Sequence, residues 1–135
     1  MSDRKNNILS FPSIVNGDMS LASLTSKVSC IQYLDDVGIQ FTWTGVPVGN
    51  FQIQVSADFA RDNTTNTVSN PGNWVPLLLS YWNGTAFVTS TTVPTSVGSP
   101  IYLDLALLSA PWIRAVYTKT SGTGSLNAVL TAKGL

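Results

Sequence analysis

The chain has 135 residues, 44% of them hydrophobic, and its seven Lys plus Arg balance seven Asp to a net charge of zero. That length suits one domain that buries a core without metal or disulfide, and the hydrophobic content excludes disorder of the whole chain. Zero balance argues against the basic stripe needed for nucleic acid and the polybasic patch drawn to an anionic membrane, and no apolar run approaches the roughly 18–20 residues that span a bilayer.

Residues 1–27 read as an N-terminal arm. Met1 to Asn7 opens with charge, and the stretch Ile8 to Val15 is broken by Ser10, Pro12 and Ser13. That is a poor signal-peptide core, so the protein is expected to be made in the cytosol. The arm carries Ile8, Leu9, Phe11 and Ile14 as candidate partner-binding anchors. It docks either on a neighbour or back on its own domain.

From residue 28 onward a period of two dominates. Val28 to Leu34 is a candidate strand, with Cys30 as a small core residue; one cysteine allows no internal disulfide. Ile39 to Thr44 and Phe51 to Ser56 alternate cleanly, giving each a greasy face and a polar face. Gly45 to Asn50 between them reads as a hairpin loop. Ala60 to Asn73 is a long surface loop closed by a turn at Asn70-Pro71-Gly72-Asn73. Trp74 to Tyr81 and Thr85 to Thr89 flank Asn83-Gly84, a strong type I′ hairpin signal. After the loop Ser90 to Ser99 come Pro100 to Leu105, Trp112 to Lys119 and Ser125 to Ala132, the last two joined by Ser121 to Gly124. The expectation is an all-β fold, an antiparallel β-sandwich or jelly roll of about eight strands over residues 28–135, with the extended arm at 1–27.

Chemistry is scarce. There is no His and no Glu, which removes the commonest general base and every Ser-His-Asp or Cys-His arrangement. Asp35-Asp36 read as solvated turn residues. Asp58 and Asp62 with Asn63 fall short of the six to eight oxygens calcium takes. No metal, no cofactor and no enzymatic activity are expected. The aromatics remain: neighbours on a strand face opposite ways, so Tyr81 and Trp82, like Trp112 and Ile113, are expected to split between core and surface. With Trp74 they are the candidate surface aromatics, for a protein interface or a stacked glycan. Arg114 is expected to pair with Asp104 across the sheet.

Charged residues are 10% of the chain, against about 25% in ordinary soluble proteins. Ser, Thr, Asn and Gln cover the surface instead, as suits either a surface covered by partners or a neutral, secreted-like protein. The segments Gly38 to Gly45, Gly49 to Ser56, Pro111 to Thr118, and Ser121 to Ala128 with Lys133-Gly134 resemble small β-sandwich virion structural proteins of tailed bacteriophages, across residues 38 to 134. The resemblance implies a structural, non-catalytic part of the virion. The leading expectation is a capsid decoration or cement protein that binds the major capsid protein as a homo-oligomer. The alternatives are a tail or baseplate structural protein and a carbohydrate-binding module. The strand-and-aromatic order is also similar to sugar-binding jelly rolls of the discoidin type, without the disulfide many of those carry.

Overall fold

A computed structural model of the chain describes residues 8–32, 34–105 and 109–134. Arm residues 1–7, and Tyr33 of the strand expected over Val28 to Leu34, lie outside the described residues. In chain order the strands are β1 (Ile8–Asp18), β2 (Ser23–Thr25), β3 (Ser29–Cys30), β4 (Leu34–Gly45) and β5 (Val48–Ser56). Then follow β6 (Ala60–Asp62), β7 (Thr67–Asn70), β8 (Val75–Pro76), β9 (Leu79–Trp82) and β10 (Phe87–Ser90). The last four are β11 (Val93–Pro94), β12 (Ile101–Leu105), β13 (Trp112–Ser121) and β14 (Gly124–Gly134).

These strands build the expected antiparallel sandwich. One sheet has the order β1-β14-β4-β12; the other runs β11-β5-β13-β2, with β3 added to β13 and β8 to β5. The pairs β9-β10 and β6-β7 stand as separate small hairpins. The period-2 pattern places the core between the two sheets. Ile39 and Phe41 of β4 meet Leu103 and Ile101 of β12 on one side and Leu130 and Ala128 of β14 on the other. Ala128 opposite Phe41 leaves the room that a ring from the facing sheet needs. That ring is Phe51, stacked on Phe41 at 4.4 Å between centroids and tilted against Tyr117 at 5.2 Å. Tyr117 is fully buried, and its hydroxyl has no hydrogen-bond partner among the described residues. Burial raises its pKa above the ordinary phenol value.

From Ile8 on, the arm folds on its own domain. β1 pairs with β14 from Ile8↔Lys133 to Asp18↔Ser125, and β2 pairs with β13. β1 is an edge strand, and it is blunted as such edges usually are. Pro12 supplies no donor, the register shifts twice between Pro12 and Gly17, and Asn16 takes a positive φ of 50°. In the middle of β1 the Ser13 carbonyl is already occupied by the Lys27 amide at 3.1 Å.

Four local expectations change. Gly45 to Asn50 is no hairpin, because β14 and β12 occupy both edges of β4 and β5 belongs to the opposite sheet. Val46 and Pro47 therefore arch between sheets, and so does the connection from β13 to β14. Asn83 to Ala86 is a four-residue loop, with Phe87 opposite Trp82. Asn83 Oδ1 accepts the Thr85 and Ala86 amides, both at 2.9 Å, and the Asn83 amide donates to the Ala86 carbonyl at 3.0 Å, so side chain and backbone close the turn together; only Gly84 has a positive φ, where type I′ needs two such residues. The run Trp74 to Tyr81 is split: Val75 and Pro76 pair with β5, while Leu79 onward joins the β9-β10 hairpin. Cys30 is exposed, because β3 is only a two-residue addition to the start of β13 and Ile31 takes the buried place.

Candidate functional site

Two aromatic constellations and one apolar end lie at the surface of this frame. The first is a cleft of about 310 Å³ between the β9-β10 hairpin and edge strand β12. Alternation along β9 turns Leu79 and Tyr81 into the core and Trp82 outward, 53% exposed. Alternation along β12 buries Ile101, Leu103 and Leu105 and leaves Tyr102 outward. Tyr81, Trp82 and Tyr102 line the cleft together with Val97, Gly84 and Gly98. Phe87, across the ladder from Trp82, braces the indole edge-on at 5.5 Å. The Tyr102 ring also covers Gly38 of β4, where any Cβ would collide with its hydroxyl. No charged side chain lines the cleft.

The second constellation lies against the outer face of β5 and β13. The Arg114 guanidinium sits over the Trp74 ring at 4.2 Å, and its Nε donates to Gln54 Oε1 at 2.8 Å. Phe59 lies between Trp74 and Trp112, at 5.7 and 4.9 Å, and Arg61 sits over Trp112 at 5.6 Å. Arg114 does not pair with Asp104, because β13 and β12 belong to opposite sheets. It is held by an indole and an amide, and burial lowers its pKa from the ordinary value. Trp74 is thus remote in role from Tyr81 and Trp82: it packs a loop onto the sheet, with its Nε1 donating to the Pro71 carbonyl at 2.9 Å.

Asp58 closes the neck of that loop. The Asn73 amide donates to Oδ1 at 2.7 Å and the Asn73 side chain to Oδ2 at 2.6 Å, while Ser56 Oγ donates to Oδ1 at 2.9 Å. These bonds, the Asn73 amide foremost, hold its pKa below the ordinary 3.8. A depressed carboxylate pKa stabilises the closed neck above the unfolded value, and that contribution is lost as pH falls through the folded value. In an NMR titration the Asn73 amide resonances should therefore move with a midpoint below 3.8, and Asp58→Asn should flatten the curve. A midpoint at or above 3.8 would refute the pinned neck. Asp62 is occupied likewise, accepting the Thr64 amide at 2.8 Å. Among the described residues no group of three or more His, Cys, Asp or Glu is placed to hold a metal ion.

The arm anchors divide. Ile14 is buried in the domain's own core and Phe11 packs against it. Leu9 is partly buried, and Ile8 is 64% exposed. The exposed apolar group that the sequence reading did not single out is Leu21, Val46 and Val48. The Val46 amide donates to the Thr123 carbonyl at 3.1 Å and the Lys119 amide to the Ala22 carbonyl at 3.0 Å. Those bonds tie the backbone beside Leu21 to β13 and the backbone at Val46 to the β13-β14 arch, toward the same end of the sandwich. Phe87 and Tyr102 were also missed, although the pattern Ile101-Tyr102-Leu103-Asp104-Leu105 already turns Tyr102 outward.

Among solved structures, the chain is similar to the crystal structure of SPBc2 prophage-derived protein YomS. The identity is 13%, the match covers 93% of this chain and 91% of that one, and the TM-score is 0.52. At that identity the likeness speaks for the fold, over nearly the whole of both chains. No protein-family model matches the chain, and no curated protein matches it.

Proposed function

We propose that the chain is a structural, non-catalytic protein of a phage particle, and that it acts there as a head decoration or cement protein on the major capsid protein. The observation that carries this reading is the set of exposed apolar side chains toward the arch end, Leu21, Val46 and Val48, of which Val46 is 82% exposed. Such side chains contribute roughly 1.5–3 kcal/mol each when a partner covers them fully. Support comes from the likeness in fold to a protein described as prophage-derived and from the near absence of charge at 10% of residues.

Ile8 stands at the far end of β1 from the arches, since it pairs with Lys133 while Asp18 pairs with Ser125. At about 3.3 Å per residue the two apolar ends are roughly 30 Å apart. One copy therefore presents a contact at each end and is suited to bridge neighbouring subunits. Binding only the assembled shell stabilises it by mass action. The bulges and Pro12 of β1 oppose open-ended strand addition, so contact is made by side chains.

Quantitative peptide stoichiometry on purified particles of the source phage tests the reading. Hundreds of copies per particle support the head role; a handful places the protein at the tail or baseplate, and none removes it from the virion. In the head role, a Val46→Asp, Val48→Asp variant keeps its melting temperature and loses at least tenfold in occupancy. Occupancy at the unsubstituted level would sink the docking end. Truncation of residues 1–15 is no test, because it removes Ile8 to Val15, most of a core-bearing strand that runs from Ile8 to Asp18.

A further inference from the structure

We infer that the cleft between β9-β10 and β12 binds a neutral glycan, a function that does not depend on the virion reading. Three features on this surface converge on that ligand class.

The first is aromatic surface. Trp82 and Tyr102 line the cleft while remaining 53% and 55% exposed, and Phe87 holds the indole in place at 5.5 Å. A braced indole offers a sugar ring a flat apolar surface at small entropic cost. The second is the polar complement. The Tyr81 hydroxyl and the Nε1 of exposed Trp82 make no hydrogen bond to protein among the described residues; the buried side-chain group without a partner there is the Tyr117 hydroxyl, in the core. Tyr102 lays its hydroxyl over Gly38, 3.5 Å from Thr131 Oγ1 across β4, and offers the cleft its ring. The Tyr81 hydroxyl and Trp82 Nε1 are neutral groups able to meet the hydroxyls around a pyranose rim.

The third feature is shape and charge. The volume of about 310 Å³ lies at the small end of the range for ligand clefts and suits one or two sugar units. A Cβ at Gly84 or Gly98 would meet nothing within 4 Å, so both glycines leave the rim open. No Asp, Lys or Arg lines the cleft; the nearest charge on β12 is Asp104, one pleat repeat from Tyr102, about 7 Å along the strand. An anionic ligand finds no counter-charge, and a cation finds no carboxylate. A proline-rich peptide would also stack on Trp and Tyr and could offer them its free carbonyls, but it docks along an extended aromatic groove at about 3.1 Å per residue, whereas this cleft is compact, at about 310 Å³. The glycan is therefore the better match.

The test uses the full chain and soluble neutral oligosaccharides of glucose, N-acetylglucosamine or galactose. Titration is followed by calorimetry and by the indole N–H resonances. At least one sugar series is expected to bind saturably, without salt dependence, and to shift the Trp82 indole signal while leaving that of Trp74 in place. Trp82→Ala should weaken binding tenfold or more, and Tyr81→Phe several-fold, both with unchanged melting temperature. Should Tyr81→Phe soften the fold, Tyr102→Ala on the exposed rim gives the same readout. The inference falls if no series saturates, if Trp82→Ala binds as the parent does, or if only a proline-rich peptide binds.

Discussion

Phe51→Ala is expected to lower the unfolding free energy by about 3–5 kcal/mol, measured by urea denaturation. Phe51 is completely buried and is the ring through which the two sheets meet. It stacks on Phe41 of the opposite sheet at 4.4 Å, lies 5.2 Å from Trp43 of the same opposite strand, and 5.2 Å from Tyr117 beside it. Truncation loses the transfer energy of the ring and leaves a cavity, and each aromatic pair adds about 0.5–1.5 kcal/mol beyond area burial. The neighbours cannot collapse into the gap, because Phe41 and Tyr117 are fixed by ladder pairs on both flanks. Against a total stability of about 5–15 kcal/mol the loss is large, and the melting temperature should fall on the order of 10–20 °C. Phe87→Ala is the control: Phe87 is 75% exposed, so the change should cost no more than its one aromatic pair with Trp82, about 0.5–1.5 kcal/mol. Equal losses at the two sites would mean that Phe51 does not join the sheets as described.

The same pair of residues shows what was legible in the sequence. Phe51-Gln52-Ile53-Gln54 alternates without a break, so β5 and its buried face follow from side-chain period alone. Ile101 to Leu105 behaves the same way. Partnership between strands was not legible. Gly45 and Asn50 carry the turn chemistry of a hairpin, and that chemistry is shared by an arch between sheets. What decides between them is β14, eighty residues later, which takes the edge of β4 that a hairpin partner would need. Arg114 is a similar case. As a charge amid the apolar residues of its strand it suggested a carboxylate partner, but its partners are Gln54 and Trp74, delivered by β5 and by a loop. The cleft was half visible. Tyr81 and Trp82 were recognisable as a split pair, whereas Tyr102 joins them only because the β9-β10 hairpin settles beside edge strand β12.

Gly122→Ala is expected to cost about 2–5 kcal/mol, through the contact that stacks the two arches. Gly122 has a φ of +77°, a left-handed conformation that any Cβ makes strained. A Cβ there would also run into the Val46 carbonyl oxygen and come within 3.1 Å of Pro47 Cα. Both obstacles are backbone, so no side chain can swing aside; the arches themselves must separate. Gly45, at φ +85°, faces the matching obstacle 2.6 Å away in the Thr123 carbonyl oxygen, so neither arch has slack to give. Separation would break the Val46 amide's bond to Thr123 and displace the Val46 and Val48 side chains together. Gly84→Ala separates strain from collision, because Gly84 has φ +103° with open space around it; its cost should be the backbone term alone, about 1–2 kcal/mol. Denaturation midpoints of the two variants decide the matter. If Gly122→Ala costs no more than Gly84→Ala, the arches are not in contact, and the apolar end has no rigid frame beneath it. If it costs more, a Gly122→Ala protein that still folds should show reduced particle occupancy even though every exposed apolar side chain is present.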